Sequence, residues 1–393
     1  MILFTAPFRI LFVIAAAYGL AAITAWSLWL AWAENGVWPW DMLPGAWHAH
    51  EMIYGMGGAA LGGFILTASA NWTATQMPRG RVLIAVFLAW LAGRLALPLS
   101  LLLPDPLVAL LGALYPLMIV YLLLRTLWGR STPWSASAMW SVVAFAIANI
   151  LSLLEITQLY APPWATTGPR LGAMLFVVLA AIIGGRIIPL FTANWLNRFG
   201  GRLKIAADPA LERLAMGALI LAIIAQILGV DGLLGALIYA MAAAAHALRL
   251  AAWRGDLTHS EPLVRVLHVG YAAIPAGFAL IAFGALTAGA VDSVAALHVW
   301  TMGVVGLLLF GIMARVGLGH TGRPITASRP IIIAFHLILG AMLLRVVTPL
   351  LWPQGEPLLA YLTAGGAWAA GAALFLIVYW PILSTARVDG EQK

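Results

Sequence analysis

Stretches of about twenty apolar residues with hardly a charge recur along this chain, and they limit its fold more than any other feature. Backbone N–H and C=O groups have no water to bond in hydrocarbon, so such a stretch crosses a bilayer as an α-helix. Twelve segments qualify, at roughly 10–33, 50–70, 82–103, 106–128, 138–160, 171–192, 211–229, 232–253, 266–288, 294–315, 331–352 and 358–383. Of the 393 residues, 63% are hydrophobic and 9% charged, whereas a soluble domain carries about a quarter charged residues. The expected fold class is therefore all-α: a polytopic membrane protein with about 12 transmembrane helices in a single integral membrane domain, 1–393. The first run ends at Trp32 and Glu34 without a small-residue cleavage site, so it reads as a retained span.

The formal charge of +7 comes from basic residues scattered through short loops, which gives nucleic acid no coherent patch to bind. Their placement sets topology instead. One set of alternate loops holds Arg79, Arg81, Arg125, Arg130, Arg198, Arg202, Lys204, Arg254, Arg265, Arg323, Arg329 and Lys393 among others, while the other set holds only Arg170. By the positive-inside rule both termini are expected in the cytoplasm, with Glu34, Asp41, Asp105, Asp231, Asp292 and Glu356 on the opposite side. The chain has no cysteine, which excludes disulfides, thiolate-held iron–sulfur clusters, covalent haem attachment and thiolate copper centres. Any metal is left to His, Met, Glu, Asp or Tyr.

A weak internal echo divides the chain further. "GGFILTASANW" (62–72) near the end of span 2 resembles "GGRIIPLFTANW" (184–195) near the end of span 6, with paired glycines 122 residues apart. Another 122 residues on, span 10 reaches "GLLLFGIMARVGLGHTG" (306–322), alike in glycine placement and polar exit. Three four-helix units are one reading, at about 1–130, 131–253 and 254–393. Two halves of six, the commonest twelve-span transporter plan, are the other.

The histidines fall in two layers. His48, His50 and His298 sit at the outer ends of spans 2 and 10, and His246, His268 and His336 in the cytoplasmic halves of spans 8, 9 and 11. His259 and His320 adjoin cytoplasmic loops. Imidazole is the usual protein ligand of haem iron and copper, and helix bundles build such sites from inward-facing side chains. On one helix His48 and His50 point about 200° apart, so a division of labour is expected. One faces His298 as an axial ligand pair, and the other binds a second metal or hydrogen-bonds to Glu51. Interfacial hydrogen bonding beside Trp47 is the plainer alternative. Met52 and Met56 continue the His48 face, where packing is the commoner role of a methionine.

Ionisable groups inside spans are costly unless paired. Arg94, Arg345 and Glu155 lie at similar outer depths; the arginines suit carboxylates such as haem propionates, and Glu155 suits proton relay or simple neutralisation of an arginine. In the inner layer His268 and His320 are candidates for a second cofactor or quinone site, with helix capping the alternative for His320.

The motifs "PFR" (7–9), "WHAHEM" (47–52), "TASANWT" (67–73), "GGRIIPLFT" (184–192), "LHVGYA" (267–272), "LH" (297–298) and "ARVGLGHTGRP" (314–324) together resemble the NnrS family from end to end. That resemblance implies a bacterial inner-membrane protein with twelve spans that contains haem and copper and is linked to nitric-oxide metabolism. Among the histidines it singles out His48, His50, His268, His298 and His320. The wider plan, twelve spans with histidines on spans 2 and 10, also resembles haem-copper oxidase and nitric-oxide reductase subunits, but spans 6 and 7 here lack the histidines of their second metal.

The expected function is thus a membrane redox protein of nitric-oxide metabolism or detoxification. It would hold non-covalent haem b, with copper as a candidate second metal and His48, His50, His298 and Glu51 as the metal-ligand candidates divided as above; nitric oxide would be the substrate and a quinol from the lipid bilayer the electron donor. Arg94, Arg345 and Glu155 would tune charge or pass protons. A twelve-span secondary transporter and a non-enzymatic haem-based sensor of nitric oxide are the alternatives.

Overall fold

The computed structural model describes residues 2–32, 42–160, 167–198, 205, 208–287, 291, 293–352, 355 and 357–389. Glu34, Asp41, Arg202, Lys204, Asp292, Glu356 and Lys393, used above for topology, lie outside these. Among the described residues there is no strand, and twelve helices follow the twelve expected spans: α1 (Pro7–Trp32), α2 (Pro44–Thr73), α3 (Arg81–Ala96), α4 (Asp105–Leu127), α5 (Pro133–Ile156), α6 (Gly168–Asn197), α7 (Pro209–Ile227), α8 (Gly232–Ala252), α9 (Pro262–Leu286), α10 (Ser293–His320), α11 (Arg329–Leu351) and α12 (Leu358–Ser384). Eleven are long and apolar enough to cross a membrane. The exception is α3, whose 16 residues reach only about 24 Å. The expectation of a span over 82–103 was too long because Pro98 has no N–H with which to continue the helical hydrogen bonds, and residues 97–102 form turns.

Most helices start where local chemistry favours it. Proline occupies the first turn of α2, α4, α5, α6, α7, α9 and α11, where its missing N–H costs nothing. Thr132 and Ser135 cap α5 reciprocally, and the Asp208 carboxylate accepts from Ala210 N at 2.8 Å ahead of α7. For α2 this start signal matters: the helix begins at Pro44, six residues before the apolar run, and takes the whole WHAHE stretch inside the fold.

Both described chain ends lie at one end of the bundle, where the Arg9 guanidinium donates to Leu383 O and Thr385 O at 2.7 Å each. His48 is at the other. In the middle, α2, α6 and α10 converge and each contains a stretch of π-helix, at Glu51–Gly57, Ala180–Gly184 and Thr301–Leu308. Their meeting point depends on Gly57. A methyl group there would lie 2.9 Å from Val305 of α10 and 3.0 Å from Phe176 of α6, closer than packed carbons allow. Around this centre α1 packs on both α2 and α12, while leucines such as Leu228, Leu234 and Leu359 face outward, as lipid contact requires.

Candidate functional site

The described residues surround a cavity of about 930 Å³ at the His48 end, between α1, α2, α5, α6, α10, α11 and α12. This is the upper range of pockets that bury a small ligand or cofactor. Its walls are largely apolar, with Met42, Met52, Met56 and Met302 among them. His48 and His298 face it from α2 and α10. Their rings are 15° from parallel with centroids 6.5 Å apart. Metal–nitrogen bonds of about 2.0–2.1 Å on each side, plus the ring radii, bring two imidazoles on one metal to roughly 6–6.5 Å.

Each ring is held by its own surroundings. His48 stacks on Trp26 of α1, 4.4 Å between centroids and 17° between planes, and its Nδ1 is buried without a hydrogen-bond partner. His298 Nδ1 lies 2.7 Å from Val294 O. A carbonyl only accepts, so Nδ1 carries a proton; in the neutral ring this leaves the lone pair on Nε2, the tautomer a metal ligand needs. Arg345 and Arg170 also line the cavity. The Arg345 guanidinium lies 4.2 Å over the Tyr361 ring, and Arg170 Nη2 donates to Ser293 Oγ at 3.1 Å. Glu155 is the one carboxylate in the lining among the described residues, and both its oxygens accept from Gly168 N, at 2.9 and 3.0 Å.

The neighbours of His48 in sequence go elsewhere. His50 is fully buried against α5, its Nδ1 sharing a 2.9 Å hydrogen bond with Ser152 Oγ and its Nε2 left without a partner. Glu51 turns to α3 and α1, accepting from Arg94 Nη1 at 2.6 Å and from the Tyr18 hydroxyl. Room for this buried ion pair comes from Gly55, where a methyl would sit 2.6 Å from both Arg94 Nη1 and Glu51 Oε2. Three expectations are corrected by this geometry. Glu51 does not bond to His50; Arg94 is neutralised by Glu51 rather than Glu155 and does not line the cavity; and His50 and Glu51, candidates for a second metal, stand outside the lining that His48 and His298 share. No cluster of three or more His, Cys, Asp or Glu capable of holding a metal occurs among the described residues.

In the inner half His268 and His320 are engaged separately. The Thr192 hydroxyl donates to Ile188 O at 2.9 Å, so His268 Nε2 donates to Thr192 Oγ1 at 2.8 Å; His320 packs on Phe8 of α1 at 5.3 Å. The stronger constellation there is one that sequence reading passed over. Buried Arg249 binds Glu212 through two nitrogens and donates from Nη1 to Ala181 O at 2.9 Å and to the Tyr271 hydroxyl at 2.8 Å. Tyr271 in turn donates to His246 Nδ1 at 2.8 Å. Ala181 belongs to the π-helical stretch of α6, and its carbonyl accepts from Gly185 N as well as from Arg249. The available signal was Arg249 three residues after His246, one ionisable group per turn on the same face inside a span.

The fold and cavity define a class: a polytopic α-helical membrane protein whose centre opens, at one end, into a cofactor-sized chamber faced by two imidazoles. The family model described as NnrS protein matches residues 2–387, and the chain belongs to the NnrS family. Among curated proteins none matches it. Membership of this family fits a nitric-oxide-related membrane protein.

Proposed function

We propose that the protein is a redox protein of nitric-oxide metabolism in a bacterial inner membrane, with a non-covalent haem b held in the 930 Å³ cavity by His48 and His298. The observation that carries this reading is the pairing of those two rings, near-parallel at 6.5 Å across an apolar chamber. A bound haem would pass single electrons, and would take nitric oxide in exchange for one of the two imidazoles. The protein does the rest. Trp26 and Val294 O restrain the two imidazoles, and the methionines exclude water. Arg345 and Arg170 supply positive charge for propionate carboxylates. Glu155, at the edge of the chamber, holds or releases a proton. Copper is a second candidate metal, for which the thioethers of Met42, Met52, Met56 and Met302 are soft donors in the same chamber. A quinol from the bilayer is the proposed electron donor. Both termini are assigned to the cytoplasm and the cavity mouth to the periplasm, in keeping with the loop charges.

An absorption spectrum of the detergent-purified chain tests the reading. A Soret band that shifts with dithionite and again with nitric oxide is expected. A colourless pure protein would instead favour a secondary transporter with the same helices.

A further inference from the structure

A second, smaller cavity of about 320 Å³ opens at the same end of the bundle, on the other side of α10 from the first. The two share Leu297 and Arg170 in their walls, so one turn of α10, carrying Leu297 and His298, separates them. The lining of the second is mixed in a specific way. Trp300 and Tyr239 give it aromatic sides, and the Gln226 carboxamide nitrogen is buried without a hydrogen-bond partner. Arg170 and Asp231 bring one cation and one carboxylate. At the α7–α8 turn beside it, Leu228 and Leu233 are 71 and 69% exposed and face the lipid.

We infer that this second cavity seats the ring of a lipid-soluble quinol. The inference rests on the redox reading above and adds to it the place where electrons enter. Its volume matches a single substituted ring at the lower limit of ligand pockets. Donors and an acceptor are both needed by a ligand that alternates between hydroxyl and carbonyl oxygens: Gln226 and Arg170 donate to a quinone carbonyl, and the Asp231 carboxylate accepts from a quinol hydroxyl. That carboxylate disfavours a phosphate headgroup, which would meet like charge. Oxidation of the quinol releases two electrons and two protons. With nitric oxide as the final acceptor the balance is QH2 + 2 NO → Q + N2O + H2O, and Asp231 stands at the cavity wall to receive a departing proton.

The test uses the full-length protein in lipid nanodiscs and a short-tailed azidoquinone as photoreactive probe. Labelled peptides are expected within 226–239 and 280–300, with excess unlabelled quinone abolishing the label. Gly284 lines the cavity, and a methyl added there would meet only Val291, at 3.4 Å. Gly284→Phe therefore fills the space and is expected to lower labelling at least about tenfold. Gln226→Leu, which keeps the backbone and most of the volume, is expected to lower it too and stands in if the larger change prevents insertion. Labelling inside the His48 cavity, labelling undiminished in both variants, or displacement of the probe by phosphatidylglycerol as readily as by quinone would overturn the inference. The Soret band is read in the same samples: its absence from the wild-type protein refutes the haem reading, whereas labelling at the wrong place with the band intact refutes only the quinol site.

Discussion

The guanidinium of Arg94 on α3 and the carboxylate of Glu51 on α2 form an ion pair of 2.6 Å in which the two side chains are 6 and 0% exposed. Removing one partner of such a pair leaves an uncompensated charge away from water. Glu51→Gln or Arg94→Leu is therefore expected to destabilise the protein by about 3–5 kcal/mol. Combining Glu51→Leu with Arg94→Leu should recover much of that loss. Thermal unfolding of the three variants in detergent checks this; if the double variant is less stable than either single one, the pair is not the unit described.

Gly57 is the point at which α2, α6 and α10 come together. Gly57→Ala forces a methyl against Val305 and Phe176, an overpacking that typically costs about 1–3 kcal/mol. Because Val305 also lines the large cavity, the substitution should lower haem occupancy as well as melting temperature. Haem-to-protein ratio measured beside the melting curve separates the two effects, and unchanged values for both would show that α10 yields freely at this contact.

The inner network of Arg249, Glu212, Tyr271 and His246 gives an internal control. It touches neither His48 nor His298, and Arg249 is satisfied by four hydrogen bonds. Glu212→Gln and Tyr271→Phe are expected to lower thermal stability by about 1–3 kcal/mol while leaving the Soret band in place. Loss of haem in either variant would tie this network to the cofactor after all.

How much of this was legible in the sequence follows from what each signal depends on. Hydrocarbon thickness fixes the length of an apolar run, so the twelve helices could be read directly; α3 was overextended because a run that stays apolar beyond Leu97 looks the same whether it is helix or turn. The start of α2 was placed six residues late, since a search for apolar runs discounts polar residues that find partners inside the fold. Histidine depth brought His48 and His298 to the same layer, and there the structure pairs them. The partners of Glu51 were not readable, because Tyr18 and Arg94 lie on other helices and pairing across helices depends on rotation that hydropathy does not encode. Glycine echoes singled out spans 2, 6 and 10. Those are the helices with π-helical stretches, a coincidence that supports three four-helix units as a proposal.

His50 separates ligation from support. Its ring is buried on Ser152, outside the lining of the large cavity. His50→Ala is expected to leave Ser152 Oγ unsatisfied, at a cost of about 1–3 kcal/mol, with the haem retained in the chain that inserts. A melting curve paired with a haem assay reads both terms. Complete loss of haem at undiminished stability would make His50 a ligand.

The pairing of His48 with His298 is tested most directly by haem content, measured per chain on membrane-inserted His48→Ala, His298→Ala and His50→Ala variants prepared side by side with the wild type. Haem bound by the wild type and by His50→Ala, and lost from both His48→Ala and His298→Ala, is the expected result. Full haem occupancy in both of the latter variants would contradict it.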